Sequence, residues 1–332
     1  MDVQQQYPSV HWIWGGGISF VYEVHPGIVV KVPKSGEFER EQFSKETKIY
    51  DIFSRSAPCH SIVQCFFCTD GGIFLEYMRD VCLSYRIQQN HIRDQQTMVV
   101  TKVQKLEAPR LRKEWMNDLA QGVAFLESLN LAHGDLRPEN ILLDRDRLKL
   151  SDFDSTAEIG TDFEACIAPY GRLLNGNESG LGSRGSSGVL ASRTEQFALG
   201  SLYYLINYGF EVYGDRCLAD DPREHGPKVV DLLQHMEFPR LNCDPLIDDI
   251  IHKCWHNQYT TVAELAAHTE SLLAEETSSG GSSRLDHSAE DCSSKKAICQ
   301  DLEKRGLLGL LCSGEPASLG FTFEWYRYSS DC

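Results

Sequence analysis

The sequence predicts an α+β fold, with a small antiparallel β-sheet and one helix first and a larger, mainly helical part after it. Short apolar runs broken by glycine and proline occupy residues 11–34 and 61–77, a pattern typical of strands joined in hairpins. Residues 37–54, between them, have apolar positions at helical spacing. From about residue 111 to residue 274 the spacing is again mainly helical, apart from one hairpin.

The predicted sheet follows residues 1–10, which are expected to form a loose polar lead-in. Three turn signals separate its apolar runs: Gly15-Gly16-Gly17, His25-Pro26-Gly27 and Thr69-Asp70-Gly71. The predicted strands cover residues 11–14, 19–24, 28–32, 61–67 and 72–77. In the later part, the predicted helices include residues 111–129, 229–236 and 245–255. Residues 79–110 are long and mostly polar, and we assign them no structure.

The single hairpin of the later part lies at residues 141–150, where two short apolar runs flank a polar four-residue turn. Asn140 precedes its first strand and Asp152 follows its second, so folding brings an amide oxygen and a carboxylate together. These hard oxygen ligands suit Mg²⁺, which completes its shell with phosphate oxygens and water. Asp135, on the loop entering the same end, lies off the metal and could accept a hydroxyl proton. The pattern indicates phosphoryl transfer.

The stretch around this hairpin resembles the catalytic core of eukaryotic protein kinases. His133-Gly134-Asp135-Leu136-Arg137-Pro138-Glu139-Asn140 resembles their H-R-D-L-K-P-E-N loop, and Asp152-Phe153-Asp154 resembles their D-F-G motif. The overall pattern is similar to divergent fungal protein kinase domain-containing proteins. The resemblance implies a two-lobed protein kinase-like fold, with an N-lobe at residues 11–78 and a C-lobe at residues 79–274.

The resemblance also implies a role for each matching position. Asp135 would be the catalytic base, and Asn140 and Asp152 would hold Mg²⁺. Arg137 stands where the family has a Lys and would steady the γ-phosphate of ATP. The implied cofactors are therefore ATP and Mg²⁺, and the implied partner is a protein substrate.

The N-lobe holds a further match, to the strand of the family that carries the ATP-binding lysine. Ile28-Val29-Val30-Lys31 resembles the family's V-A-I-K sequence. The resemblance makes Lys31 the contact for the α- and β-phosphates and puts Val29 in the nucleotide pocket, while Lys34 is a second candidate for the lysine.

The same resemblance gives the lysine a carboxylate partner on the helix predicted at residues 37–54. Glu46 is the expected partner because it precedes an apolar Ile-Tyr pair much as the family's helix glutamate does. Glu41 and Glu39 are competing candidates, and a solvated helix face is the alternative for all three.

The glycine-rich turn between the first two strands matches the family's phosphate-binding loop poorly. If Val21 fills the Val position of G-x-G-x-x-G-x-V, the three glycine positions hold Trp14, Gly16 and Ser19. Gly16 and Gly17 are the expected phosphate contacts, because glycine lets backbone N–H groups approach a ligand closely. Taken alone, three glycines between two strands favour an ordinary turn, and their position before the match at residues 28–31 is what supports the phosphate-binding alternative.

Leu75-Glu76-Tyr77-Met78 resembles the kinase hinge that holds adenine. The resemblance implies that backbone groups of Glu76 and Met78 hydrogen-bond the base and that Leu75 gates the pocket behind it. Leu142, two residues past Asn140, would form the floor of the adenine pocket.

The segment after the hairpin departs from the family in several ways. Gly134 replaces the Arg that normally receives an activation-loop phosphate, and Asp154 replaces the Gly of D-F-G. Tyr170 stands in place of the A-P-E glutamate, and Tyr259 lies near the position of the Arg that pairs with it. Losing both partners of a buried ion pair can be neutral for stability. A Gly/Ser/Asn-rich insertion at residues 174–188 is expected to form a loop beside the peptide-binding surface.

Beyond the C-lobe, residues 275–294 are Ser/Gly-rich and charged and are predicted to be a linker. Residues 295–305 could form a short helix that Gly306 ends. The run Phe321-Thr322-Phe323-Glu324-Trp325-Tyr326 is too aromatic for a disordered terminus. We expect the tail at residues 295–332 to dock on the kinase body, and a partner-binding element is the alternative.

Composition limits the partners and the compartment. A net charge of −16 argues against a nucleic-acid groove or an anionic membrane surface as the main partner. We expect a soluble, intracellular and cytoplasmic protein, with the nucleus left open, because nothing is typical of a signal peptide or a membrane span. The 12 cysteines are then expected to be reduced thiols. Cys65 and Cys68 form the one C-x-x-C pair, and residues three apart on a strand should face opposite sides, which argues against zinc.

We therefore expect a protein kinase that transfers the γ-phosphate of ATP to Ser or Thr hydroxyls with Mg²⁺. Two alternatives stay open. The H-G-D and D-F-D sequences also resemble loops of aminoglycoside and choline phosphotransferases, which would make the substrate a small molecule. The departures from the family pattern would also suit an ATP-binding pseudokinase scaffold. These residues predict neither the oligomeric state nor the physiological substrate.

Overall fold

The predicted division into a sheet-rich N-lobe and a mainly helical C-lobe is confirmed. The computed structural model describes residues 3–162, 166–173, 188–274 and 289–327. The strands are β1 (His11–Gly15), β2 (Ser19–His25), β3 (Ile28–Pro33), β4 (Cys65–Thr69), β5 (Gly72–Glu76), β6 (Asp80–Cys82), β7 (His91–Arg93), β8 (Val100–Val103), β9 (Leu131–Ala132), β10 (Ile141–Asp144), β11 (Arg147–Leu150) and β12 (Ala157–Glu158). The α-helices are α1 (Val3–Gln6), α2 (Glu37–Ser54), α3 (Leu83–Gln88), α4 (Pro109–Ser128), α5 (Ser192–Tyr208), α6 (His225–Gln234), α7 (Pro245–Trp255), α8 (Val262–Ala274), α9 (Ala289–Lys304) and α10 (Leu307–Leu311).

The N-lobe sheet is antiparallel and has the strand order β1-β2-β3-β5-β4. Residues directly opposite each other in an antiparallel pair share a face of the sheet. Val21 lies opposite Lys31, and this face is turned toward the C-lobe because Lys31 contacts Asp152. Tyr22 lies opposite Val30, and both side chains are fully buried on the other face. The sheet therefore has one face toward the cleft between the lobes and one buried outer face.

Two details of the predicted strands are wrong. The turn of the hairpin at residues 141–150 has two residues and not four, because Asp144 pairs with Arg147 and Arg145 adopts a positive φ of 58°. The strand predicted at residues 61–67 is split. Its first residues bond Leu150 instead, with Leu150 N donating to Ser61 O at 2.8 Å, and β4 begins only at Cys65. The first half of this apolar stretch pairs with β11 and the second half pairs with β5, so two different strands divide it.

The argument from spacing about Cys65 and Cys68 is also wrong. The register of β4 shifts between Cys65 and Phe67, so an extra residue interrupts the alternation of faces. Both cysteine side chains consequently pack against the same main hydrophobic core. No third His, Cys, Asp or Glu in the described part of the chain joins them in a metal-binding group.

The outer face of the N-lobe sheet is covered by segments from both ends of the chain. Leu302, Leu307 and Leu308 of the C-terminal helices pack with Tyr22 and Val30 in one buried cluster. The expected loose lead-in is wrong, because Val3, Tyr7 and Val10 are buried in the same cluster. Helix α9 begins at Ala289, inside the range predicted to be linker, and residues 275–288 lie outside the described part.

We predict that Leu307→Ala lowers the free energy of unfolding by about 2–5 kcal/mol, because it empties a fully buried site between α10 and the sheet. Urea denaturation followed by circular dichroism would measure the change. Leu246→Ala is the matched control, since Leu246 is 50% exposed and its truncation should cost little. Equal stability of the Leu307 variant and the native protein would show that the tail adds nothing to the N-lobe.

The C-lobe is built on α4, which packs against α8, and on α5, which packs against α7. Gly200 permits the α5–α7 contact, because a Cβ atom there would lie 2.8 Å from Trp255 Cδ1 and 2.9 Å from Cys254 Cβ. Residues 79–110, left unassigned from the sequence, contain β6, α3, β7 and β8. All of the predicted insertion at 174–188 except Gly188 lies outside the described residues. Among the described helices, none combines the length and the apolar character needed to cross a membrane.

Candidate active site

A buried lysine joins the two lobes. Lys31 on β3 lies 2.6 Å from Glu46 on α2 and 2.6 Å from Asp152, which follows β11. Glu46 is completely buried and Lys31 is 8% exposed. Glu41, a competing candidate, lies beside the exposed Lys45 at 3.7 Å. Lys34, the alternative lysine, has its ammonium 5.2 Å from the centre of the Phe20 ring. The contact thus selects one lysine and one glutamate from the candidates.

The charges of this group depend on one another. Burial raises the pKa of Glu46 to about 7, although the Lys31 charge opposes the shift. Burial also disfavours the charged form of Asp152, but the ammonium of Lys31 outweighs it and lowers the pKa of that carboxyl. The two carboxylates in turn raise the pKa of Lys31 despite its burial. Lys31 therefore stays protonated and holds Asp152 in its ionised form, which is the form that binds cations.

Asp152 occupies a backbone conformation that the sequence does not reveal. Its φ is 63°, in the left-handed region that Asp tolerates better than most residues do. This conformation turns the next residue, Phe153, into a buried site against Tyr50, Phe53 and His133, with ring centroids 5.6, 5.1 and 5.3 Å away. The packing of Phe153 fixes the position of the preceding carboxylate.

Asp135, the predicted base, is held by three donors. Asn140 Nδ2 donates to Asp135 Oδ2 at 2.8 Å and to its backbone oxygen at 2.9 Å. Arg137 Nε lies 3.1 Å from the same Oδ2 atom, and the Cys166 thiol donates to Oδ1 at 3.2 Å. Arg137, predicted to contact the γ-phosphate, is therefore turned toward Asp135. The contact with Cys166 was not predicted from any motif in the sequence.

Glu195, in the first turn of α5, binds the backbone of the loop that carries Asp135. Its Oε2 accepts from His133 N at 2.8 Å and its Oε1 accepts from Gly134 N at 3.4 Å. Gly134 has a φ of 79°, a conformation that favours glycine over the family's Arg. Glu195 lies 61 residues after Gly134, and no local pattern in the sequence indicates this contact.

Glu195 also predicts a pH effect on stability. Burial raises its pKa to about 7, so the folded state binds a proton that the unfolded state releases near 4.5. Its contribution to stability is therefore present at low pH and is lost as pH rises through about 7. In the native protein this proton is expected to make the free energy of unfolding fall by about 3 kcal/mol between pH 5 and pH 8. We expect this fall to be absent in Glu195→Gln, because glutamine does not titrate.

Urea denaturation at several pH values would measure this slope for Glu195→Gln, with the exposed Glu270→Gln as the matched control. Subtracting the native curve removes the contribution of Glu46, which is common to all three proteins. An unchanged slope in Glu195→Gln would show that Glu195 is ionised in the folded protein throughout this pH range.

The glycine turn joins β1 to β2. Gly16 N donates to Ser19 O at 2.9 Å, which closes the turn between β1 and β2. Gly17 has no atom within 4 Å of where a Cβ would lie, so space remains around its backbone. Val21 follows on the face that carries Lys31. The turn is thus an open loop, as expected of either a phosphate-binding loop or a plain turn.

The predicted hinge residues are mostly buried. Leu75 lies opposite Val29 on the neighbouring strand, and Met78 is 2% exposed. Glu76 N already donates to Gln64 O at 2.8 Å, so this N–H is engaged within the N-lobe. The Glu76 side chain pairs with Lys149 on β11. Leu142 on β10 is partly buried against the same core.

The departures near the end of the activation segment have their own partners. Tyr170 donates to Glu211 Oε1 at 2.9 Å, and the Tyr259 hydroxyl lies 2.7 Å from His268 Nδ1. Two neutral hydroxyl contacts thus stand where the family has one ion pair. Asp154, in place of the D-F-G glycine, accepts from Ser155 at 3.1 Å, and burial together with the Asp152 charge raises its pKa.

Asn140 and Asp152 have the chemistry of a magnesium site. Ser151 N donates to Asn140 O at 3.0 Å, which ties the two ends of the hairpin together. The amide nitrogen of Asn140 is used by Asp135, so its amide oxygen is the ligand atom it can offer. An amide oxygen and an ionised carboxylate are ligands that Mg²⁺ prefers. These residues fit the ion.

Comparisons with known proteins agree with this geometry. A family model described as the protein kinase domain matches residues 29–170. The serine/threonine-protein kinase/endoribonuclease IRE1b of Arabidopsis thaliana is 30% identical over 161 residues, which are 41% of this chain and 17% of that protein. The serine/threonine-protein kinase PKH3 of Saccharomyces cerevisiae is 29% identical over 101 residues, 30% of this chain and 11% of that protein. The chain spans less than a fifth of the length of either relative.

Proposed function

Because the chain belongs to the protein kinase-like superfamily, we propose that it transfers the γ-phosphate of ATP to Ser or Thr hydroxyls of a protein substrate. The observation that carries the proposal is the contact of Lys31 with both Glu46 and Asp152 at 2.6 Å. Burying the charge of a lysine and of a carboxylate costs desolvation free energy. Such buried, mutually dependent charges are concentrated at functional sites, which supports a role for this group in the cleft between the lobes.

The proposed roles of the residues follow from their surroundings. Lys31 offers a permanent positive charge at the cleft, where it would orient the α- and β-phosphates. Asp135 is held in place by Asn140, so its carboxylate would accept the proton of a substrate hydroxyl as the γ-phosphoryl group leaves the β-phosphate oxygen of ATP for the hydroxyl oxygen and ADP is released. Arg137, one side chain away, would then pair with the transferred phosphoryl group instead of with Asp135.

Asn140 and Asp152 would hold Mg²⁺, which when bound supplies positive charge that offsets the charge on the phosphates. Lys31 keeps Asp152 ionised, and the packing of Phe153 keeps it oriented. The choice of Ser/Thr over Tyr rests on the names of the similar proteins, which are serine/threonine-protein kinases.

The test is transfer of labelled phosphate from Mg·ATP to a generic protein acceptor by the purified chain. We expect phosphoserine or phosphothreonine in the acceptor. A parallel reaction with small alcohols and amines distinguishes the alternative, since ATP consumption with those acceptors alone would make the chain a small-molecule phosphotransferase. Nucleotide binding without transfer to any acceptor would make it a pseudokinase, and absence of nucleotide binding would contradict the whole proposal.

A further inference from the structure

The C-terminal segment at residues 321–327, which we call the tail strand, follows the free edge of the N-lobe sheet. Phe321 packs on Tyr22 of the outer face, with ring centroids 5.1 Å apart. Phe323 bridges Trp12 on the edge strand β1, and Glu324 N donates to Trp12 O at 2.8 Å. The tail strand thus passes around the edge of the sheet, away from the helices α9 and α10.

Beyond Glu324 the tail strand lies on the cleft side. The Trp325 ring is 5.1 Å from the Trp14 ring on β1 and 6.1 Å from the Tyr85 ring on α3. Arg327 Nε lies 3.0 Å from Glu23 Oε2, and this Glu23 side chain is only 4% exposed. The segment therefore touches the N-lobe sheet on one side and the helix that follows the hinge on the other.

These contacts border the predicted adenine pocket on both sides. Glu23 lies opposite Val29, which is predicted to line the pocket, and Trp14 lies opposite Val21, which fills the Val position of the predicted glycine-rich loop, so each contact shares a face with a residue of the predicted nucleotide site. On the other lobe, Cys82 at the end of β6 lies opposite Leu142, the predicted floor of the pocket, and α3 begins at the next residue. The tail strand therefore extends from β1 and β2 of the N-lobe to α3 of the C-lobe, across one side of the predicted adenine pocket.

Tyr326 is the residue that points inward from this span. It packs against the main hydrophobic core, to which Val29, Leu75 and Met78 also belong. Burial raises the pKa of the Tyr326 hydroxyl, and a negative charge on the neighbouring Cys82 would raise it further. Its φ of 32° is one that L-residues rarely adopt, so its inward position is held by the contacts of Trp325 and Arg327 on either side.

We propose that Trp325 and Tyr326 form a tethered plug at the adenine side of the nucleotide cleft, so that ATP binds only when the tail strand moves away. The inference rests on the ATP site of the proposed function. A segment on the same chain competes at a high effective concentration. If the open state makes up about one tenth of the population, the apparent affinity for nucleotide is about tenfold weaker than that of the open site.

The test is a calorimetric titration of the full chain with Mg·ADP, comparing the native protein with Trp325→Ala/Tyr326→Ala. We expect the double variant to bind about tenfold more tightly. Phe38→Ala is the matched control, because Phe38 is a 65% exposed aromatic residue on α2 outside the plug, and it should bind as the native protein does. The single variant Trp325→Ala serves if the double variant unfolds. Trp325 is 38% exposed, and its loss should give a smaller gain in the same direction.

Equal or weaker binding by the variants would overturn the plug, and weaker binding would mean that the tail strand helps to hold the nucleotide. In both cases the ATP site of the proposed function would stand, because binding itself is observed. Absence of binding by the native protein and by all variants would instead contradict the proposed function, and the plug would be rejected with it.

Discussion

Asp135→Asn is expected to lower the rate of phosphoryl transfer by about 10²–10⁴-fold while leaving the affinity for nucleotide nearly unchanged. An amide has the shape of the carboxylate but cannot accept the proton of the attacking hydroxyl. Asp135 is not among the residues that contact Lys31, so the part of the site that would bind the phosphates should remain. The measurement is the initial rate of phosphate transfer at saturating Mg·ATP.

The surroundings of Asp135 make this substitution a fair test of chemistry. Asn140 and Arg137 both direct N–H groups at Oδ2, so the amide oxygen of the variant can take that position. The amide nitrogen would then face the Cys166 sulfur, which accepts weak hydrogen bonds. Asp70→Asn, in the exposed turn between β4 and β5, is the matched control and should transfer at the native rate. A variant at position 135 that kept the native rate would remove Asp135 from the role of base.

The parts of this site that lie close together in sequence could be predicted from the sequence. Residues 133–152 contain a loop, a tight hairpin and the two residues predicted to hold Mg²⁺, and two short apolar runs around a polar turn are enough to indicate the hairpin. Lys31 and Glu46 were identified by likeness to a known pattern, and each had competitors that only a contact distance could remove. Such predictions succeed because the residues are either close together in sequence or part of a known motif, so that little long-range packing has to be predicted.

The parts that depend on long-range packing could not be predicted. Glu195 on α5 contacts the backbone of Gly134, which lies in a loop distant in sequence. A glutamate in the first turn of a helix is equally typical of a solvent-exposed helix start, so the residue type did not indicate this contact. The bulge that brings Cys65 and Cys68 to one face is a backbone irregularity with no glycine to mark it. The course of the tail strand depends on aromatic contacts with Trp14 and Tyr85, which lie 311 and 240 residues before Trp325.

Lys31→Met is expected to lower the free energy of unfolding by about 3–5 kcal/mol, because it leaves the buried carboxylate of Glu46 without its cation, and the partly exposed Asp152 loses the same partner. The loss should be smaller at low pH. Removing the ammonium raises the already high pKa of Glu46 further, so acid neutralises this carboxyl and relieves the repulsion. Urea denaturation at pH 6 and pH 8 measures both the loss and its pH dependence. Nucleotide affinity should fall in the same variant.

A double-mutant cycle separates the ion pair from the packing of the lysine chain. In Lys31→Met/Glu46→Gln the buried carboxylate is gone, so we expect part of the lost stability to return, with a coupling of about 0.5–3 kcal/mol. Lys45→Met is the matched control: Lys45 is on the same helix as Glu46, its side chain is 48% exposed, and its pair with Glu41 should contribute less than about 1 kcal/mol. If Glu46→Gln changed the stability at pH 8 by the same amount in the native protein and in Lys31→Met, the coupling would be zero and the Lys31–Glu46 contact would carry no stability of its own. The lobes would then be held together by the packing of Phe153 against Tyr50 and Phe53.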